Sequence, residues 1–179
     1  MTQYRRRMIA AVLSLLAVAP AADAATPTTT RVSISSSGAE SEVTRGSFSA
    51  SISSNGRFVA FISRTGNFAS GDNNNQPDVF VRDRKLGTTQ RVSIGSGGQQ
   101  SNGNLLETAQ ISANGRYVAF VSNATTLDSG ASAGLPRLYR YDRDTSTLLL
   151  VPLPAGATSI AGTNPGSSPW PSISISADG

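Results

Sequence analysis

The sequence predicts an all-β fold assembled from repeats, and three observations predict it: one segment recurs at spacings of 59 and 64 residues, its residues alternate with a period of two, and each copy carries a glycine turn. The segment SISSNGRFVAFIS over 51–63 returns as QISANGRYVAFVS over 110–122 and begins again as SISISADG over 172–179. Asn55 and Asn114 stand 59 residues apart, and Asn114 and Asp178 stand 64 apart. Recurrence on this scale marks one supersecondary unit used several times, with no unit able to bury its apolar face alone.

Each unit reads as four strands. Over 47–53, Phe48, Ala50 and Ile52 alternate with serines, which predicts a strand with one apolar face. Asn55-Gly56 is a hairpin signal, since both residues tolerate positive φ. The run RFVAFIS over 57–63 is apolar on both faces, as a strand between two layers must be. A polar loop over 64–77 leads to a third strand over 78–84, and Lys85-Leu86-Gly87 turns the chain into a fourth over 88–94. The second unit repeats the parts over 108–112, 116–122, 137–143 and 147–153, with the turn at Asn114-Gly115. Connections rich in glycine (Gly97, Gly98, Gly103, Gly130, Gly134) separate them. A lone strand over 30–34 precedes the first unit and matches the fourth strand at 90–94.

Four antiparallel strands with the second buried on both faces describe a propeller blade. The expected architecture is an incomplete β-propeller over 30–179: blade one at about 47–94, blade two at about 108–153, and the first strand of a third blade at about 170–179. Ala60 and Ala119 are small enough to let neighbouring blades approach closely. Two blades leave open faces, so the ends are expected to be poorly held, and the chain is expected to be a truncated version of its architecture.

Three blocks carry a family resemblance: ISANGRYVAF over 111–120, GDNNNQPDVFVRDR over 71–84 and GTTQRVS over 87–93. In order and spacing they resemble the WD-repeat-like propeller repeats of TolB-type envelope proteins, and the resemblance covers 29–179. It implies a propeller fold and leaves activity open, because one propeller shape hosts many roles. It leaves no place for the additional amino-terminal domain of that family, so a role in the Tol–Pal system does not carry over.

The amino terminus reads as an export signal. Arg5, Arg6 and Arg7 precede an apolar run over 8–19, then Pro20, then Ala22-Asp23-Ala24 as an A-x-A cleavage site. The run is shorter than the roughly 20 apolar residues a membrane span needs. Cleavage is expected after Ala24, giving a signal peptide over 1–24, a polar linker over 25–29, no membrane span in the mature chain, and a periplasmic or secreted location. Removing that segment lowers the formal net charge from +4 to +2. The remaining basic residues are scattered, whereas nucleic-acid binding requires them clustered on one face. No nucleic-acid partner is expected.

The chain contains neither cysteine nor histidine. That removes disulfides, Cys nucleophiles, His-assisted triads and most zinc sites. No catalytic residue and no cofactor are assigned. One weak metal candidate stands out: Asp72, Asn74, Gln76 and Asp78 alternate as oxygen ligands do at positions 1, 3, 5 and 7 of a calcium loop. Pro77 and Asp83 occupy the places of that loop's glycine and bidentate glutamate, so an Asx-rich turn is the favoured reading. Arg82, Asp83, Arg84, Asp142 and Arg143 read as ion pairs along outer strands, because neighbouring strand residues point to opposite faces. Trp170, the one tryptophan, reads as core packing ahead of sugar stacking. Glu40, Glu42 and Glu107 have no spacing that pairs them as glycosidase carboxylates.

The function expected from these observations is a non-catalytic exported propeller, a binding or scaffolding module of the cell envelope whose partner is a protein or glycan. The alternative is the propeller portion of a secreted peptidase or glycan-degrading hydrolase whose catalytic part is absent from this chain. Self-association through the open blade faces is a further expectation.

Overall fold

The computed structural model describes residues 28–42, 45–130, 135–155 and 173–179, with only the backbone of 105–108. The export signal at 1–24, most of the linker and Trp170 lie outside the described residues. Arg31–Gly179 form one compact unit. Among the described residues no helix is long and apolar enough to cross a membrane.

Two four-stranded antiparallel sheets form, each a simple meander. Blade one holds β1 (Ser47–Ile52), β2 (Phe58–Ser63), β3 (Asp78–Asp83) and β4 (Thr88–Arg91) in that order. Blade two repeats the order with β5 (Leu105–Ile111), β6 (Tyr117–Ser122), β7 (Arg137–Asp142) and β8 (Thr147–Leu150). The all-β, two-blade expectation therefore holds. The second strands behave as their composition requires: all six residues of β2 are buried. Phe58, Ala60 and Ile62 face blade two and meet Val118, Phe120, Tyr139 and Tyr141 in one core between the sheets. On the opposite face of blade one, Phe61 and Phe80 stack at 5.8 Å, and Phe68 from the 64–77 loop sets its edge against both. Burying an apolar side chain of this size contributes about 1.5–3 kcal/mol.

Strict alternation in the first strand does not hold. The pairing of β1 with β2 shifts between Phe48 and Ser51, and Ser49 takes φ 53°. This bulge places Phe48 and Ser51 on one face, opposite Ile62 and Ala60, and sends Ile52 outward to 57% exposure. The serines freed by the bulge join the blades: Ala109 N donates to Ser49 Oγ at 3.2 Å and Ile111 N to Ser51 Oγ at 2.8 Å.

The Asn-Gly turn also differs from a turn with two positive φ angles. Only the glycine is left-handed, at φ 69° for Gly56 and 78° for Gly115. Asn55 works through its side chain, whose Oδ1 accepts from Arg57 N at 3.0 Å, and Asn114 does the same for Arg116 N at 2.8 Å. β4 is shorter than its expected 88–94 span because the chain bends into a connector closed by the bridge Ile94–Gln100.

The lone segment before blade one proves to be a second instance of that connector. It closes with the bridge Ile34–Glu40, sixty residues before Ile94–Gln100. Nor is it loosely held. Thr89 Oγ1 donates to Ile34 O at 2.5 Å, Thr89 N to Ser36 Oγ at 2.9 Å, and Arg82 Nη1 to Ser35 O at 3.1 Å. At the other end, Asn114 N donates to Ala177 O at 3.3 Å, which holds 173–179 against blade two.

Candidate functional site

The register of β3 against β4 decides what becomes of the candidate metal loop. Phe80 pairs with Arg91, which brings Arg91 over the end of β3 where Asp78 enters. Arg91 Nη1 lies 3.1 Å from Asp72 Oδ1 and 3.7 Å from Asp78 Oδ2. The guanidinium thus occupies the space between the two carboxylates that a calcium ion would need. Asp78 Oδ1 accepts from Ser93 Oγ, and Asp78 Oδ2 accepts from Asn74 Nδ2 at 3.0 Å. Asn74 Oδ1 accepts from Gln76 N at 3.1 Å, an Asx turn, so Asn74 serves the loop's own backbone. Gln76 enters through that backbone nitrogen. Gln100 closes the outside, accepting from Arg91 Nη1 at 3.0 Å and donating to Gly71 O at 2.9 Å. Among the described residues no group of three or more His, Cys, Asp or Glu side chains is placed to hold a metal ion.

The electrostatics follow from that geometry. Two buried carboxylates share one guanidinium, so the cluster carries an excess negative charge away from water. Burial is the main cause that pushes Asp78 up to about 6, with the Asp72 charge adding to it and Ser93, Asn74 and Arg91 opposing. Burial likewise raises Asp72, against the pull of Arg91. Asp72 Oδ2 has no hydrogen-bond partner among the described residues. Blade two places Arg137 and Leu150 where blade one has Asp78 and Arg91, so the cluster belongs to blade one.

Of Arg82, Asp83, Arg84, Asp142 and Arg143, only Asp83 and Asp142 form ion pairs among the described residues, each with an arginine that leads into the preceding strand, whereas Arg82, Arg84 and Arg143 donate to backbone carbonyls. Arg57 Nη2 meets Asp83 Oδ2 at 2.7 Å, and Arg116 Nη2 meets Asp142 Oδ2 at 2.7 Å, each with a second bond from Nε. Asp83 also accepts from Lys85 N and Leu86 N and so fixes the β3–β4 turn. The arginine partner holds both carboxylates well below the ordinary range, at about 2. Arg82 turns to the opposite side, toward Thr89 and Ser35, as strand geometry requires. Glu40 pairs with Arg31, and Glu42 with Arg45 at 3.5 Å.

Sequence reasoning missed a contact at the rim that both blades share. Gly115 is buried beneath the ring of Phe58, and a Cβ built on it would lie 2.3 Å from Phe58 Cδ2. Arg143 covers the other part of that ring at 3.9 Å from its centroid and donates from Nη1 to Gly115 O at 2.7 Å. The next repeat shows the same ring on the same glycine, but its arginine comes from the ring's own blade, at the position that Val81 holds in blade one. A Cβ on Gly179 would lie 2.0 Å from Tyr117 Cδ2, Arg140 stands 4.7 Å over Tyr117, and its Nη1 donates to Gly179 O at 3.0 Å. The signal was present in the spacing of the two Asn-Gly-Arg-aromatic runs, but only the turn requirement of the glycine was legible from it.

No protein-family profile matches the sequence, and no curated protein matches it. Solved structures do match, among them the crystal structure of the tricorn protease, at 17% identity and a TM-score of 0.39. That match covers 59% of this chain, which spans 8% of the other's length.

Proposed function

We propose that this chain is a non-catalytic exported propeller module that binds a protein or glycan of the cell envelope, or scaffolds an assembly there. The observation that carries this reading is the use made of the ionisable groups. Asp72, Asp78, Asp83 and Asp142 each face an arginine of their own blade, and each ties down a loop or turn. General acid–base chemistry needs two groups of separated pKa converging on open space. Asp78 has the raised pKa, but it is fully buried behind Ser93 and Arg91. Exposed carboxylates such as Glu40, Glu42 and Asp144 lie among solvent-facing loops rich in serine, and surface loops of this kind suit recognition. The export-type amino terminus and the resemblance to TolB-type envelope repeats support the location.

The test uses the purified mature chain. Sedimentation with isolated envelope fractions and binding to an array of envelope glycans should retain it saturably. The same preparation should turn over no substrate in peptidase and glycosidase panels. Turnover that follows the folded chain through purification and vanishes on its denaturation would overturn the proposal.

A further inference from the structure

Three glycines occupy the same place in three successive repeats, and two of them carry an aromatic ring. Gly115 holds Phe58, and Gly179 holds Tyr117. Gly56 has the same left-handed backbone, at φ 69°, and the same arginine bond, with Arg84 Nη1 donating to Gly56 O at 2.8 Å. Among the described residues, a Cβ built on Gly56 would meet only Arg84 Nη1, at 3.7 Å. Arg84 is exposed, whereas Arg143, its counterpart over Phe58, is half-buried by the ring it covers. The rim of blade one thus presents the acceptor half of a contact whose completed form lies one repeat further on.

The chain also carries the complementary half. Tyr117 stands where Phe58 stands, flanked by Arg116 at 4.8 Å as Phe58 is flanked by Arg57 at 4.6 Å. It is covered in cis by residues 174–179, SISADG, which repeat SISSNG over 51–56. The turn lying on Tyr117 is therefore a near copy of the turn that stands open on blade one.

We propose that blade one docks a second copy of this chain head to tail, with Tyr117 of that copy seated on Gly56 beneath Arg84, and that residues 173–179 compete for Tyr117 in cis. The occupant is argued from continuity with the blade-to-blade interface already present between Phe58 and Gly115. Such a contact is heterologous, so it propagates until a ring closes or a filament grows. A covering segment in the same chain acts at an effective concentration in the mM range, so the unaltered chain associates weakly.

Sedimentation velocity on the 179-residue chain tests this. Gly179→Val drives a side chain into the Tyr117 ring and displaces the cis segment. The variant should associate at a concentration at least about 10-fold lower than the parent, because the cis competitor is gone. In that background, Gly56→Asn tolerates the positive φ while filling the acceptor, and it should return the chain to monomer. Arg84→Ala, which leaves the backbone unstrained, should weaken association in the same direction. The decisive sample mixes a Gly56→Asn chain with a Tyr117→Ala chain, both carrying Gly179→Val: each alone should be monomeric, and the mixture should stop at a 1:1 dimer. A mixture that stays monomeric, or either variant assembling alone, would overturn the proposal.

Discussion

The ring of Phe58 rests on Gly115, so close that a Cβ at that glycine would overlap Phe58 Cδ2 at 2.3 Å. One residue thus meets two demands. It supplies the left-handed φ of 78° that the turn needs, and it supplies the absence of a side chain that lets blade one lie against blade two.

Those two demands separate by mutation. Gly115→Ala carries both the backbone strain and the overlap, and it should cost about 2–4 kcal/mol. Gly98 has φ 81° with nothing among the described residues within 4 Å of a built Cβ, so Gly98→Ala carries the strain alone, about 1–2 kcal/mol. Urea unfolding of the two variants should show that difference. Equal costs would mean that the ring contact contributes nothing.

Stability should pass through a maximum near pH 4. Asp83 and Asp142 titrate at about 2 when folded, against an ordinary 3.8. The unfolded chain therefore binds more protons between those values, and the stability these groups contribute is lost as pH falls from about 4 toward 2. Asp78 is displaced the other way, to about 6. The folded chain binds its proton more tightly, so that contribution is complete below 3.8 and is lost as pH rises through about 6. Thermal unfolding across pH 2–8 checks both arms. Asp78→Asn should reduce the fall above pH 4 to the part that Asp72 contributes, and leave the fall below it.

Asp83→Ala and Asp142→Ala should behave alike. Each removes the partner of a cross-strand arginine and an acceptor for backbone N–H groups of the following turn. The expected cost is about 1–3 kcal/mol in each blade, the range for losing a charged acceptor and leaving its donors unpaired. Chemical denaturation of the pair of variants tests the equivalence of the blades.

The bulge in β1 makes a distinct forecast. Ala60→Leu enlarges a residue with no exposed surface between the blades and should cost about 1–3 kcal/mol. Ile52→Ser alters a side chain that is 57% exposed and should change stability by no more than about 0.5 kcal/mol. A large loss from Ile52→Ser would place Ile52 in the core and deny the bulge.

The strands in the middle of each blade were legible because their residues leave no choice. Val59, Phe61 and Val81 belong to runs that are apolar on both faces, and only burial on both sides accommodates them. The bulge at Ser49 was not legible, because a serine–apolar alternation reads the same with or without one extra residue, and the pairing with Ala60 and Ile62 decides it. Arg91 stands 13 residues beyond Asp78, and its place between the carboxylates depends on the β3–β4 register. The connector at 31–42 matches 91–102 at Ser36, Gly38 and Ser41 as well as at RVSI, and Gly38 and Gly98 share a left-handed φ of 86° and 81°; reading RVSI alone as a strand passed over that turn and its bridge to Glu40.

The central claim is that the two blades share one core and are held at the rim by Phe58 on Gly115. Native-state hydrogen exchange at β2 and β6 tests it most directly, with the parent chain and Gly115→Val compared. If the blades are one cooperative unit, the amides of Ala60–Ile62 and of Val118–Phe120 open with the same free energy, and the substitution lowers both by the same amount. If β2 keeps its full protection while β6 loses its own, the blades stand independently and the account is contradicted.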